Sequence, residues 1–477
     1  MMKKKYNFLN LLLLTALIVS SCKKMVQVPE PSISVNAGNV YKTDATAKLA
    51  LNRIYIGWSS PGLTSESGPS AFITYRCGLE SDDFNYLQSA GGRAQNYYQN
   101  SLTSSIKGYW QDGFGSIQTI NAVIEGVTNS NSLTPSVKEN LVGQAKFLRA
   151  FVYFYLVNLY GDVPIILTTD YKLNTESSRQ STNSVYQRII LDLIDAESLL
   201  PDRFEDYDGN STSERSLPTK WAAKALLARI YLYTKDYVNA LNKATEVIDR
   251  SDLFELVSLN DVFKKNSRES IWQLQPVNSG WNTEDGKTFI IPSTGPDRDH
   301  PISLSASLMN SFELGDQRPK VWTASYTNVN VTPNITYNYS YKYKSATQGN
   351  VITEYTNVFR LSELYIIRAE CRAFVESGVG SAISDLNIIR NRAGLANYSG
   401  GSDQLSITGA ILKERRVEFF CEWGHRWLDL KRVGKIDEVM SAATVTKGGT
   451  WQSYKQFWPL PTNDLLFGPN LKQNTGY

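Results

Sequence analysis

A mainly α-helical fold, built on a tetratricopeptide-like scaffold of helix pairs with a loop-rich lobe carrying short β-strands, is what this 477-residue sequence predicts. Three observations lead there. Apolar residues recur at helical spacing in four places, and each place offers two helices joined by a short polar or glycine turn. In one of them Ala222, Ala223, Ala225, Ala228 and Ala240 allow close helix approach, while Leu226, Leu227, Ile230, Leu232 and Leu241 supply a buried stripe. Two long stretches, about 57–111 and 253–355, instead carry Ser, Asn, Gly, Pro and Tyr with only short strand-like runs.

At the start of the chain, Lys3, Lys4 and Lys5 precede an apolar core from Phe8 to Val19 and the small residues Ser20 and Ser21. That pattern predicts a cleaved export signal over residues 1–21, too short for a comfortable membrane span. The run Val19-Ser20-Ser21-Cys22 is similar to a bacterial lipobox, which would make Cys22 the lipidated first residue, and residues 22–35 read as a flexible tether. Several acyl chains hold a protein firmly where one holds it only marginally.

The net charge of +3 loses those three lysines with the signal, so the mature chain is close to neutral and a nucleic-acid partner is disfavoured. Once Cys22 is spent, Cys77, Cys371 and Cys421 remain, an odd number at wide spacing that suits neither a disulfide framework nor a zinc knot. Cys371 and Cys421 fall on helical faces and read as core. No linker-like stretch divides residues 36–477, which read as one domain.

The helix pairs run from Val137 to Tyr160 with Ser184 to Leu199, and from Thr219 to Thr234 with Asp236 to Arg250. Val358 to Glu376 with Val379 to Ala393, and Ile407 to Trp423 with Arg426 to Met440, complete the set. Tyr231 and Tyr237 add the small-and-large alternation of a tetratricopeptide unit, and such repeats stack into a curved wall. Strand-like runs span Ser270 to Gln275 and Thr336 to Tyr343. Long irregular segments in a helical protein commonly carry its binding function.

The run from Glu414 to Arg432 alternates charge and aromatic bulk across a glycine break at Gly424. Glu414 and Glu418 stand one turn apart with Arg415 and Arg416 between them, a pattern for arginine–carboxylate forks, while Phe419 and Phe420 pack inward. This predicts a structural clasp and not a catalytic group, because no nucleophile stands with a base. His300 and His425 cannot make the usual zinc hydrolase set, and neither a Gly-x-Ser-x-Gly elbow nor a phosphate-cradling glycine loop is present. No cofactor is indicated. Asp206, Asp208, Asn210 and Glu214 resemble a calcium loop faintly, but the spacing is too short for an EF-hand and a solvated acidic turn is expected. Two carboxylates suffice for a glycosidase, so sequence alone leaves that activity open.

The clasp run resembles the hallmark of the SusD/RagB family, and other segments do so in the family's order. These are 143–164, ending Leu159-Tyr160-Gly161-Asp162-Val163-Pro164, then 218–233, 360–370 and 386–394, and the closing Trp458 to Asp464 and Asn470 to Tyr477. The resemblance implies a SusD-like fold in an outer-membrane lipoprotein. Its implied role is non-catalytic capture of oligosaccharides, or less often peptides, for a SusC-like TonB-dependent transporter. Lys23-Lys24-Met25 departs from the acidic residues common after the lipidated cysteine of surface-displayed members, so display outside the cell is implied by the family and not by this local sequence.

Indole faces can stack on the C–H face of a sugar ring, which makes tryptophan the probe for a saccharide site. Trp110, Trp221, Trp272, Trp423, Trp427 and Trp458 lie in helical, apolar or closing segments and read as core, and Trp451 adjoins the closing segment. Trp58, Trp281 and Trp322 stand in polar, irregular surroundings and are the expected stacking platforms. Planar polar groups recognise vicinal hydroxyls, and in the family the acidic stretch after the first long loop often lines the groove. Tyr75, Asp82, Asp83 and Tyr86 are therefore the next candidates, with Asn282 a further addition. A pure protein scaffold without a small ligand is the rival reading, and it predicts that the loop tryptophans are buried.

Overall fold

The computed structural model describes residues 37–59, 70–87, 92–375 and 379–477; the expected export signal, Cys22 and the tether lie outside the described residues. The long helix Pro135–Tyr160 organises the first half. Pro135 stands in its first turn, where the missing amide hydrogen costs nothing. Its aromatic run is buried on all sides because Trp110–Asn129 packs on one flank and Thr182–Leu199 on the other. Arg149, inside this apolar helix, is made tolerable by a two-pronged fork onto Asp192 at 2.8 Å and a third bond to Asn121 at 2.8 Å.

From there the helices continue in series. Lys220–Tyr233 packs on Thr182–Leu199 and on Tyr237–Ile248, which meets Leu361–Val375; that helix in turn meets Gly380–Arg392 and Gln404–Phe419. The fold is mainly α with stacked helix pairs, as the periodicity predicts. The alanine face of Lys220–Tyr233 is wholly buried, so close approach is what its small residues provide.

Three differences from the sequence reading have physical causes. Residues from Val358 do not begin a helix: Thr356–Arg360 is a strand, antiparallel to Ser270–Leu274 and buried along its length, and the helix starts at Leu361. The last expected helix is two, His425–Arg432 and Ile436–Thr446, parted at Gly434, whose φ of 70° is left-handed. The stretch 57–111 contains the helices Ser70–Glu80, whose apolar signal is diluted by Ser, Thr and Gly, and Arg93–Tyr98, where Arg, Gln and Asn dilute it.

Among the described residues, six strands form three two-stranded sheets: β1 (Phe84–Tyr86) with β3 (Ile302–Leu304), β2 (Ser270–Leu274) with β6 (Thr356–Arg360), and β4 (Thr323–Asn328) with β5 (Ile335–Ser340). The six tryptophans read as core are all buried. Cys77, Cys371 and Cys421 are free and buried, although Cys421 lies in the turn after its helix and not on it. Gly424, which breaks the clasp, has φ 74°, and a side chain there would meet the Cys77 Cβ at 2.9 Å.

Candidate functional site

The clasp is a buried ion network. Glu418 accepts from Arg318 at 2.9 Å, from Arg360 at 2.5 Å and from Arg392. Arg318 also reaches Asp316 at 2.8 Å and Glu414 at 2.6 Å, while Arg360 reaches Glu269 at 3.1 Å and Glu422 at 2.9 Å. Burial alone would raise the Glu418 carboxyl, but the three guanidiniums outweigh it and hold the group ionised far below the usual carboxylate range. His425 is buried beside Arg415, and burial first, then the neighbouring cations, keeps it neutral. These groups hold helices together.

That network claims several residues expected to face ligand. Asp82 is forked by Arg426 at 2.8 and 3.1 Å and met by Arg416 at 2.8 Å, while Asp83 is buried and bound to Arg416 at 3.0 Å. Both are anchors for the clasp and not hydroxyl readers. Burial pushes Asp82 up, but Arg426 and Arg416 outweigh it and bring the group down to about 2, from an ordinary 3.8; burial pushes Asp83 the other way. A lowered carboxyl stabilises the fold above its ordinary pKa and loses that contribution as the pH falls toward 2, here up to about 2 kcal/mol. Asp82→Asn is therefore expected to flatten the acid limb of the stability curve between about pH 4 and pH 2, followed by urea melts. An unchanged slope would exclude the assignment.

Trp58 and Trp322 are corrected as well. Trp58 is 2 % exposed inside the helix Asp44–Ser59, its ring 5.2 Å from Phe151 and 6.4 Å from Trp272. Trp322 is fully buried, donates to the Leu259 carbonyl at 2.8 Å and roofs the clasp, with Lys342, Arg360 and Arg392 around its ring. Trp322→Ala should cost roughly 3–5 kcal/mol of stability in denaturant melts, as for other buried tryptophans, and a loss under about 1 kcal/mol would contradict this placement. Tyr75 is buried under the Arg76 guanidinium, 5.1 Å from its ring. Asn282 is buried and serves the backbone: it donates to Ser345 and to the Val351 carbonyl at 3.1 Å and accepts from the amides of Thr353 and Glu354. The acidic turn bonds to itself, with Asp206 accepting from the amides of Asp208 and Asn210 at 2.9 Å, and Glu214 pairs with Lys265.

Of the eight expected residues only Tyr86 and Trp281 keep partly open rings. Lys287 stands 4.9 Å from the Trp281 ring centre, and Tyr86 tilts against Tyr98 at 6.1 Å. What the structure adds is a tyrosine face on the β4–β5 hairpin. Antiparallel pairing sets Tyr326 opposite Tyr337 and Ala324 opposite Tyr339, so all three rings share one face, while Ser325, Thr327, Thr336 and Asn338 share the other. Tyr326 and Tyr337 lie nearly parallel, 18° apart with centres at 6.5 Å, and Tyr341 meets Tyr339 edge-on at 6.3 Å. All four rings are partly accessible.

Neighbouring loops hold this face in place. A side chain at Gly295, whose φ is 97°, would stand 2.9 Å from the Tyr326 ring, so glycine lets the loop backbone lie directly against the aromatic surface. The adjoining turn exposes Arg298 and Asp299, groups able to bond hydroxyls. Strand β5 packs on β3, which pairs with β1, so Tyr86 and Tyr98 belong to the same layered lobe. A partly open surface of flat rings with charges in the adjoining turn can hold an apolar face bearing hydroxyls. Alternation of Tyr337, Tyr339, Tyr341 and Tyr343 in the strand-like run is the sequence signal for it, one that a search confined to tryptophan and the acidic stretch passes over.

Two family models match the chain: residues 68–232 match one described as starch-binding and associating with the outer membrane, and residues 277–477 match the SusD family. A SusD-like protein, P2, of Formosa agariphila is 26 % identical over 528 aligned residues, covering 99 % of this chain and all of that protein. A SusD superfamily structure from Bacteroides vulgatus superposes with a TM-score of 0.77 at 20 % identity, covering 92 % of this chain and all of that one. A laminarin-binding SusD-like protein superposes with a TM-score of 0.73 at 22 % identity, covering 91 % of this chain and 99 % of the other.

Proposed function

Because this chain belongs to the SusD/RagB family, we propose that it is a non-catalytic oligosaccharide receptor of the outer membrane, with the β4–β5 tyrosine face as its platform. The observation that carries this reading is the row formed by Tyr326, Tyr337 and Tyr339, three partly open rings on one face of a hairpin. A sugar's C–H face gains apolar burial against such rings while its hydroxyls turn to Arg298, Asp299 and water. Tyr86 and Trp281 are assigned to the margin of the same surface. The family description, starch-binding and associated with the outer membrane, and the laminarin binding of a like-folded protein support carbohydrate as the ligand class.

On this reading Cys22 carries the lipid anchor and a SusC-like TonB-dependent transporter receives the cargo. Stacking in a wet, shallow groove gives affinities on the order of micromolar to millimolar, which permits release, and tethering beside the transporter raises the ligand concentration at its mouth. Binding of the purified protein to a panel of neutral and acidic oligosaccharides tests the reading. Retention of at least one glycan is expected, with no new reducing ends after prolonged incubation. Failure to retain any glycan would end the capture reading, and the appearance of reducing ends would make the protein a hydrolase.

A further inference from the structure

Strand β4 keeps one edge unpaired. The Tyr341 amide donates to the Trp322 carbonyl at 2.8 Å, and the register continues with Thr323 opposite Ser340. Alternation along an antiparallel ladder therefore turns the backbone groups of Ala324, Tyr326 and Asn328 toward β5, and leaves the N–H and C=O groups of Thr323, Ser325 and Thr327 pointing away from it. Among the described residues no hydrogen bond reaches those outward groups. Ser325 and Thr327 are exposed, and β4 packs chiefly on β5 and on the short helix Arg318–Trp322 that leads into it. We propose that this edge joins a second copy of the chain, β4 to β4 about a twofold axis at Ser325, so that two hairpins form one four-stranded sheet.

The symmetry of the free groups favours a second copy as the occupant. Antiparallel pairing centred on Ser325 sets Ser325 against itself and Thr323 against Thr327 of the second copy, so every outward group meets an outward group. The same register places Ala324 beside Tyr326 of the second copy, and the reverse. That is the small-against-large pairing which Ala324 and Tyr339 already make within the hairpin.

Charge points the same way. Residues 323–340 include no Asp, Glu, Lys or Arg, and their sole proline, Pro333, lies in the turn. Exposed edges are ordinarily guarded by charge, proline or a bulge, and β4 has none of these while pairing residue for residue with β5. A charge near the axis would be set against its own copy, so an uncharged strand suits self-pairing, whereas a charged partner finds nothing here to select it. The hairpin tip exposes Val329, 69 % accessible, and antiparallel pairing carries that tip toward the end of the second copy's strand where the partly buried Val321 stands.

The joined sheet would carry Tyr326, Tyr337 and Tyr339 of both copies on one face. Pairing stands on the edge alone, and a longer platform for glycan follows only where the proposed function also holds. A single strand edge is small beside the roughly 1,600 Å² of a standard interface, so a dissociation constant on the order of 100 µM is expected.

Sedimentation of the protein carrying Cys22→Ser, from about 10 µM to about 1 mM, provides the test. A reversible dimer is expected, with little response to salt because no charge is paired. Ser325→Lys alters an exposed side chain, so it should leave the thermal melt unchanged while weakening the dimer at least about tenfold, and mixing it with Ser325→Glu should restore association. With Cys77, Cys371 and Cys421 buried, a short bifunctional maleimide should join Ser325→Cys to itself, and should join Thr323→Cys to Thr327→Cys in a mixture. The paired change Tyr337→Ala with Tyr339→Ala should still dimerise, which separates this proposal from glycan capture. The proposal is overturned if the protein stays monomeric throughout, if Ser325→Lys associates as tightly as the parent, or if Ser325→Cys cross-links no better than Leu405→Cys, an exposed position on another element.

Discussion

Glu418→Gln should be among the most damaging single changes in this protein, lowering stability by roughly 3–5 kcal/mol, the cost of breaking a buried ion pair by removing one partner. The carboxylate is wholly buried and shared by Arg318, Arg360 and Arg392, so its neutralisation leaves three guanidiniums facing one another around a single anion's place. Glu269, Glu414 and Glu422 remain as partners at the periphery, which keeps the loss finite. Against a total stability of about 5–15 kcal/mol for a typical domain, a loss of that size shows as a sharply lower urea midpoint or as poor expression. Because the Glu418 carboxyl is held far below its ordinary range, it stays ionised on mild acidification, and the gap between parent and variant should persist down to about pH 5. A difference below about 1 kcal/mol in urea melts would refute the view that this network clamps the helices.

The paired change Tyr337→Ala with Tyr339→Ala should act in the opposite sense, on binding and not on folding. Each ring is partly open on a two-stranded hairpin, so its removal leaves no large cavity in the main core. Stacking of about 1–1.5 kcal/mol per ring corresponds to about tenfold in affinity, or roughly a hundredfold for both. Tyr337→Phe keeps the face and loses only the hydroxyl, so it should retain most of the affinity. Calorimetry with an oligosaccharide chosen from the panel, beside a thermal melt, reads both quantities. Unchanged affinity in the paired variant would remove the hairpin from the site even if the protein binds glycans elsewhere.

Local pattern was a sound guide where one element's own face decides the outcome. The helix from Lys220 to Tyr233 announces itself through alanine and leucine spacing, and the glycine break at Gly424 through the residue that tolerates φ 74°. It was a poor guide where a partner far along the chain decides. Trp58 is followed by Ser59, Ser60, Pro61 and Gly62, a turn composition that says nothing of Phe151 and Trp272, against which its indole lies. Asp82 and Asp83 look like hydroxyl readers until Arg416 and Arg426, more than three hundred residues later, arrive on them. Trp322 stands in a polar loop in sequence and among three cations in space.

The sequence by itself determined the helix-pair architecture, the clasp and the family resemblance, because helical periodicity and charge spacing are properties of one segment at a time. Only the tertiary structure decided which aromatic rings and carboxylates stay open to solvent. Exposure belongs to a residue's surroundings: the same indole is a platform or a core plug according to what packs on it. The tyrosine face needed both, since period-two spacing aligned its rings on one strand and cross-strand register brought Tyr326 beside them.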